Sequence, residues 1–133
     1  MIFADTSFFV AGADERDRHH NEALQLFELV ARRRIVTTNH VRGETWTTLC
    51  RKLWHGRAVE FLDTVGGKGR YVQLAQVAED LEDEALRWLR RHDEREYSFV
   101  DATSFAYMRA KGIGEALAFD GDFAAAGFTE LRP

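Results

Sequence analysis

The sequence predicts an α/β fold with a mainly parallel central sheet, and three observations predict it. Short apolar runs at residues 2–4, 35–37 and 116–119 alternate with longer stretches whose apolar residues recur at helical spacing. An acid, Asp5 or Asp120, stands directly behind the first and the last of those runs. The 133 residues, 45% hydrophobic and 30% charged, are enough for one domain over 1–133 with a single core and no disulfides.

The elements follow in order. Ile2-Phe3-Ala4 reads as a buried strand opening into a turn at Asp5-Thr6-Ser7. After a polar stretch from Asp14 to His20, Ala23, Leu24, Phe27, Val30 and Ala31 mark an amphipathic helix, closed favourably by Arg32-Arg33-Arg34. Ile35-Val36-Thr37 is a second strand. Thr38 or Asn39 caps the next helix, whose apolar face includes Val41, Trp46, Leu49 and Leu53 and which Gly56 breaks. A short helix spans 58–65 and leads to a glycine turn at 66–69, and 71–77 is an edge or outer strand. Leu81, Ala85, Leu86, Trp88 and Leu89 define a helix with acids early and arginines late. Ser98 and Asp101 have the spacing of a capping box for a helix ending at Lys111-Gly112. Residues 116–119 form a strand ending at Asp120-Gly121-Asp122, and 128–131 form the last one.

Bulk properties narrow the function classes. A formal net charge of −4 argues against indiscriminate nucleic-acid binding but leaves room for an enzyme whose acids hold metal. The lone Cys50 makes no internal disulfide, suits a reducing cytoplasm and reads as a small buried hydrophobe. The N-terminal residues lack a signal-peptide pattern, and no apolar run reaches membrane-span length. The expected location is cytoplasmic.

In open parallel sheets, ligands collect beyond the carboxyl ends of the strands, where chain order reverses. Asp5 and Asp120 belong at that edge, and Glu44 and Asp101 lie in the first turns of helices that start there. Carboxylates crowded together repel and raise one another's pKa. A hard divalent ion resolves that conflict, and an all-oxygen donor set suits Mg²⁺ or Mn²⁺ rather than zinc. Such an ion activates water and stabilises a departing oxygen in phosphodiester hydrolysis. Taken singly, Asp101 is explained equally by its cap, and Glu44 by a solvated helix face.

The segments Asp5-Thr6-Ser7, Thr37-Thr38-Asn39-His40-Val41-Arg42-Gly43-Glu44, Ser98-Phe99-Val100-Asp101-Ala102-Thr103-Ser104-Phe105 and Ala118-Phe119-Asp120-Gly121-Asp122-Phe123 resemble the successive motifs of PIN domains. The resemblance is closest to the VapC toxins of bacterial toxin–antitoxin pairs and covers essentially the whole chain. It implies a three-layer domain and a catalytic, metal-holding quartet of Asp5, Glu44, Asp101 and Asp120. Asp122 falls where members carry a further acid or a histidine, so it either joins the metal site or flanks it. Ser7 matches a hydroxyl that supports the first aspartate, and Ser98 supports Asp101 through the cap. The resemblance further implies Mg²⁺- or Mn²⁺-dependent endoribonuclease activity, a homodimer, and neutralisation by a cognate VapB-type antitoxin. The implied substrate is structured translation RNA: the sarcin–ricin loop of 23S rRNA, which residues 92–128 resemble most, or tRNA. Departures at 66–69 and 51–57 bear on substrate choice and leave the quartet intact.

Arg42, two positions before Glu44, is the expected RNA contact. Arg51, Lys52, His55 and Arg57 around Trp54 either hold phosphates and stack a base or form a solvated helix end with Trp54 packed away. The apolar surface left over from Trp46, Leu49, Leu53 and Trp54 is the expected groove for an antitoxin helix. His19 and His20 read as exposed loop residues. A haloacid-dehalogenase-type phosphatase would need an aspartate where Ser7 stands, and the paired acids and lysine of a receiver domain are not evident. The alternative from another class is a catalytically inactive PIN-like module that binds RNA or protein.

Overall fold

The computed structural model describes residues 1–66 and 71–133. Its sheet has five strands: β1 (Ile2–Ala4), β2 (Ile35–Thr38), β3 (Val72–Ala75), β4 (Glu115–Leu117) and β5 (Thr129–Glu130). They run in the order β3-β2-β1-β4-β5, and every pairing is parallel. The helices are α1 (Thr6–Ala13), α2 (His20–Leu29), α3 (Asn39–Lys52), α4 (His55–Thr64), α5 (Glu79–Arg91), α6 (Phe99–Lys111) and α7 (Asp122–Ala125).

The central strand shows why the molecule is layered. Side chains alternate across a strand. Ile2 and Ala4 enter a core with Phe8, Leu26, Leu49 and Phe61, whereas Phe3 enters a second core with Val36, Trp88, Phe105 and Phe123. Both faces of the sheet are therefore covered, the condition under which parallel sheets occur. The expected α/β architecture is the observed one, with β3 at an edge as read and β5 at the other.

Four local expectations need correcting. Residues 6–13 form a helix capped by Asp5 where a turn was expected at Asp5-Thr6-Ser7; Phe8, Phe9, Val10 and Ala11 are apolar nearly all round and give no amphipathic period to mark it. Helix α3 ends at Lys52 through Leu53, which is in a non-helical conformation (ψ −103°), so the break precedes Gly56. Gly56 lies inside α4, where a Cβ would stand 3.1 Å from the Trp54 indole nitrogen. Strand β4 stops at Leu117, which leaves Asp120 on the loop beyond it rather than directly behind it, and a short helix, α7, follows. The glycine turn expected at 66–69 falls mostly outside the described residues.

The order places the point of chain reversal between β1 and β4, whose successors in sequence lie on opposite sides of the sheet. Helices α5 and α6 follow each other without an intervening strand, so α6 does not open at this edge for the reason first given. It is nonetheless held there: His40 at the start of α3 lies 3.2 Å from Glu82 of α5 and meets the Phe99 ring of α6 edge-on.

Candidate active site

Asp5 is the N-cap of α1, and burial leaves it 2% exposed. Its Oδ2 accepts the Ser7 hydroxyl at 2.7 Å and the Ser7 backbone N–H at 3.2 Å. The same Ser7 oxygen accepts the backbone N–H of Phe119 at 3.0 Å. One hydroxyl thus ties the carboxylate after β1 to the loop after β4. The support expected from Ser7 is present, and it reaches a second strand.

Asp101 sits in the first turn of α6, in a complete capping box. Its backbone N–H donates to Ser98 Oγ at 2.9 Å, and its Oδ2 accepts the Ser98 N–H at 3.0 Å. The cap uses one carboxylate oxygen, so capping and metal binding are compatible. Asp120 lies beside it, and ligand atoms of Asp101, Asp120 and Asp122 fall within 4.8 Å of one another. Asp122 is engaged by Arg95, whose Nε donates at 2.8 Å while the same guanidinium reaches the Asp120 carbonyl at 3.3 Å. Glu44, on the second turn of α3, shares a cleft of about 490 Å³ with Asp5 and Asp120. The structure therefore gathers Asp5, Glu44, Asp101, Asp120 and Asp122 at one sheet edge.

Electrostatics bear the marks of crowding. Burial, then the charges of Asp120 and Asp101, push the Asp5 carboxyl well above its ordinary value against the pull of the Ser7 hydrogen bonds. Burial, then Asp120 and Asp122, raise Asp101 to about 6. Asp120 is raised by desolvation, with Asp122 and Glu130 adding to it. Among the described residues no cation pairs with Asp5, Asp101 or Asp120. Two buried carboxylates, Asp5 and Asp101, with the exposed Asp120 beside them, repel one another without a neutralising cation and form an all-oxygen donor set that fits a hard divalent ion.

Three expectations about the surroundings change. Arg42 is half-buried and does not line the cleft, since positions two apart on a helix face different sides. The cations that do line it are Arg18 and Lys52. His19 is not a plain loop residue: its ring stacks on Phe119 (centroids 4.6 Å, planes 4° apart), and its Nδ1 lies 2.8 Å from Glu22 Oε1. His20 is likewise tied down, with Nδ1 2.8 Å from the Ala11 carbonyl. Of the α3 surface expected to form a groove, Trp46 and Leu53 pack on the core, Trp54 is 59% exposed, and Leu49 lines a neighbouring cleft. An apolar cleft of about 390 Å³ instead lies among α1, α2 and α4, lined by Phe8, Phe9, Leu24, Phe27, Phe61 and Tyr71. No helix of the described residues is long and apolar enough to cross a membrane.

Residues 2–129 match the family model described as PIN domain. The chain is 53% identical to the 23S rRNA-specific endonuclease VapC20 of Mycobacterium tuberculosis, over 100% of this chain and 99% of that protein. The crystal structure of that bacterium's VapC20, described as a sarcin–ricin loop cleaving toxin, superposes with a TM-score of 0.94 at 50% identity over 100% of both chains. VapBC2 of Rickettsia felis, solved bound to a promoter DNA fragment, gives a TM-score of 0.63 at 13% identity over 87% of this chain and 86% of that one. At that identity the likeness is one of fold alone.

Proposed function

The chain belongs to the PIN-domain family, among the VapC toxins, and from that premise we propose that it is a Mg²⁺- or Mn²⁺-dependent endoribonuclease that cleaves the sarcin–ricin loop of 23S rRNA. As a toxin it would arrest translation until a cognate VapB-type antitoxin neutralises it. The reading takes the chain as a single PIN domain over residues 1–133, acting in the cytoplasm as a homodimer. The observation that carries it is the convergence of unpaired carboxylates at the reversal point of the sheet. A tRNA substrate has no comparable support, since the full-length relative at 53% identity is named for 23S rRNA.

In this reading Asp5, Glu44, Asp101 and Asp120 hold the ion, with Asp122 as a further donor partly neutralised by Arg95. When bound, the ion supplies activation of water and charge stabilisation at the phosphodiester. The protein's own part is positioning. Ser7 fixes Asp5, the Ser98 cap fixes Asp101, and the Asp122 backbone N–H holds Asp120 Oδ1 at 3.1 Å. A cluster whose rotamers are set beforehand spends no binding energy on ordering them.

The antitoxin's place is the α1–α2–α4 cleft, where Leu24 and Phe27 expose 49% and 42% of their surface around an apolar floor. An amphipathic helix fits such a groove by laying its apolar face into it.

The test is a synthetic sarcin–ricin stem-loop incubated with the protein and Mn²⁺. Cleavage at one site is expected, lost with a chelator and lost in Asp5→Asn, Asp101→Asn and Asp120→Asn, each still folded. Full activity in two of these variants would defeat the site assignment. RNA binding without cleavage under any divalent ion would favour the inactive binding module.

A further inference from the structure

The acidic cleft is also lined by two cations, Arg18 and Lys52, that the quartet does not explain. Along α3, Val41, Thr45 and Leu49 are buried, and the neighbouring row Glu44, Thr48 and Lys52 faces the cleft at four-residue spacing. Eight residues at helical rise put Lys52 about 12 Å from Glu44 along the axis. Among the described residues Lys52 has no acidic partner, so its ammonium is available to an incoming anion.

Arg18 reaches the same cleft from the segment between α1 and α2, and it is held ready. Its Nε donates to His19 Nε2 at 3.1 Å, which leaves the His19 Nδ1–H to donate to Glu22. The imidazole between them lies flat on Phe119, next to Asp120. Holding a guanidinium in place before the ligand arrives reduces the entropy lost on binding. The cleft is therefore lined both by the carboxylates of Asp5, Asp17, Glu44 and Asp120 and by the cations Arg18 and Lys52. A polyanionic strand whose cleaved bond lies over the acids places its neighbouring phosphates within reach of those cations.

We propose that Lys52 and Arg18, which line the cleft together with Thr48, form a subsite for an RNA backbone phosphate adjacent to the cleaved bond. The proposal rests on the nuclease reading and adds to it where the strand lies: along α3, from its second turn toward its C-terminus. Helix-end charge balance also favours a lysine at this position. That role is served at the same time and requires no access to the cleft.

Two substrates separate the subsite from the active centre. The sarcin–ricin stem-loop spans both, whereas bis(p-nitrophenyl) phosphate has a single phosphodiester and cannot reach Lys52. Lys52→Gln is expected to raise KM for the stem-loop about tenfold with kcat within about twofold, and to leave the small diester unaffected. In the cleavage-deficient Asp5→Asn background with Mg²⁺, Lys52→Gln should weaken stem-loop binding and flatten log Kd against log salt by about 0.7–0.9. Lys52→Arg should restore both readouts, and Arg18→Gln should behave as Lys52→Gln does. Unchanged RNA affinity and salt slope in Lys52→Gln, with the wild type cutting RNA, would overturn the subsite and leave the nuclease standing. Unchanged RNA affinity with weakened antitoxin binding would assign the lysine to the protein partner and also overturn it. A wild type that cleaves neither substrate with any divalent ion would defeat the nuclease reading, and the subsite with it.

Discussion

Ser7 joins two strands through one oxygen, and its removal should be felt twice. In Ser7→Ala the Asp5 carboxylate loses its shortest hydrogen bond and the Phe119 N–H is left without a partner. A stranded buried donor costs about 1–2 kcal/mol. Urea denaturation should show that loss, cleavage should fall at least about tenfold, and Ser7→Thr should retain most of both. The raised carboxylates give a second prediction. Burial and the neighbouring carboxylates push the Asp101 carboxyl up to about 6 in the folded chain, from about 3.8 when unfolded. The folded state therefore holds the extra proton between those values, and metal-free stability falls as pH rises through that window, by up to about 1.4 kcal/mol per unit. Thermal melts in a chelator should give a higher Tm at pH 5 than at pH 7, and Asp101→Asn should flatten the difference because Asn keeps the cap acceptor but not the charge. Asp5 and Asp101 were legible from sequence because they stand at a strand end and a helix start, whereas Asp120 lies on the loop beyond its strand and Glu44 on the second turn of its helix. His19 was not, since its partner Phe119 is a hundred residues away in the chain and no local pattern joins them. Arg42 misled because nearness in sequence is not nearness on a helix.

At the scale of elements, α6 shows how much a local rule can specify. Its capping box was readable from Ser98 and Asp101, and its end at Gly112 (φ 68°) follows from the left-handed conformation that glycine tolerates. Ser98→Ala removes the acceptor for the Asp101 N–H and should cost about 1 kcal/mol in chemical denaturation. It also frees the start of the helix that carries Asp101, so cleavage should weaken more than that stability loss alone implies. Equal activity in Ser98→Ala would show that the cap does not position the carboxylate. Helix α1 escaped the sequence because it is buried on most sides, and periodicity reports only helices with a wet face. The same reasoning covers β4: Ala116 to Ala118 are all buried, so nothing in the apolar run marks where pairing stops and the loop to Asp120 begins.

On the scale of the whole molecule, the sheet separates two surfaces with different chemistry. The carboxylates lie at the carboxyl edge, while the apolar cleft opens among α1, α2 and α4 beside one core layer. The two meet at α1, where the Phe8 ring lies 5.8 Å from Phe9 of the cleft and 6.4 Å from Phe119 of the site. Phe8 is buried, so changing it would disturb both surfaces, whereas Leu24 and Phe27 project from α2 on the cleft's outer side. Replacing both with serine removes exposed apolar area and leaves the core rings in place. Fully burying such a side chain contributes about 1.5–3 kcal/mol, and about half of each is left for a partner to cover, so the pair is worth roughly tenfold to a hundredfold in antitoxin affinity. The double variant should cleave the stem-loop at the wild-type rate, bind purified antitoxin at least about tenfold more weakly, and stay toxic in cells that co-express it. Retained neutralisation by the antitoxin would move its docking surface away from α2, and lost cleavage would mean that the cleft and the acids are coupled through α1 rather than independent.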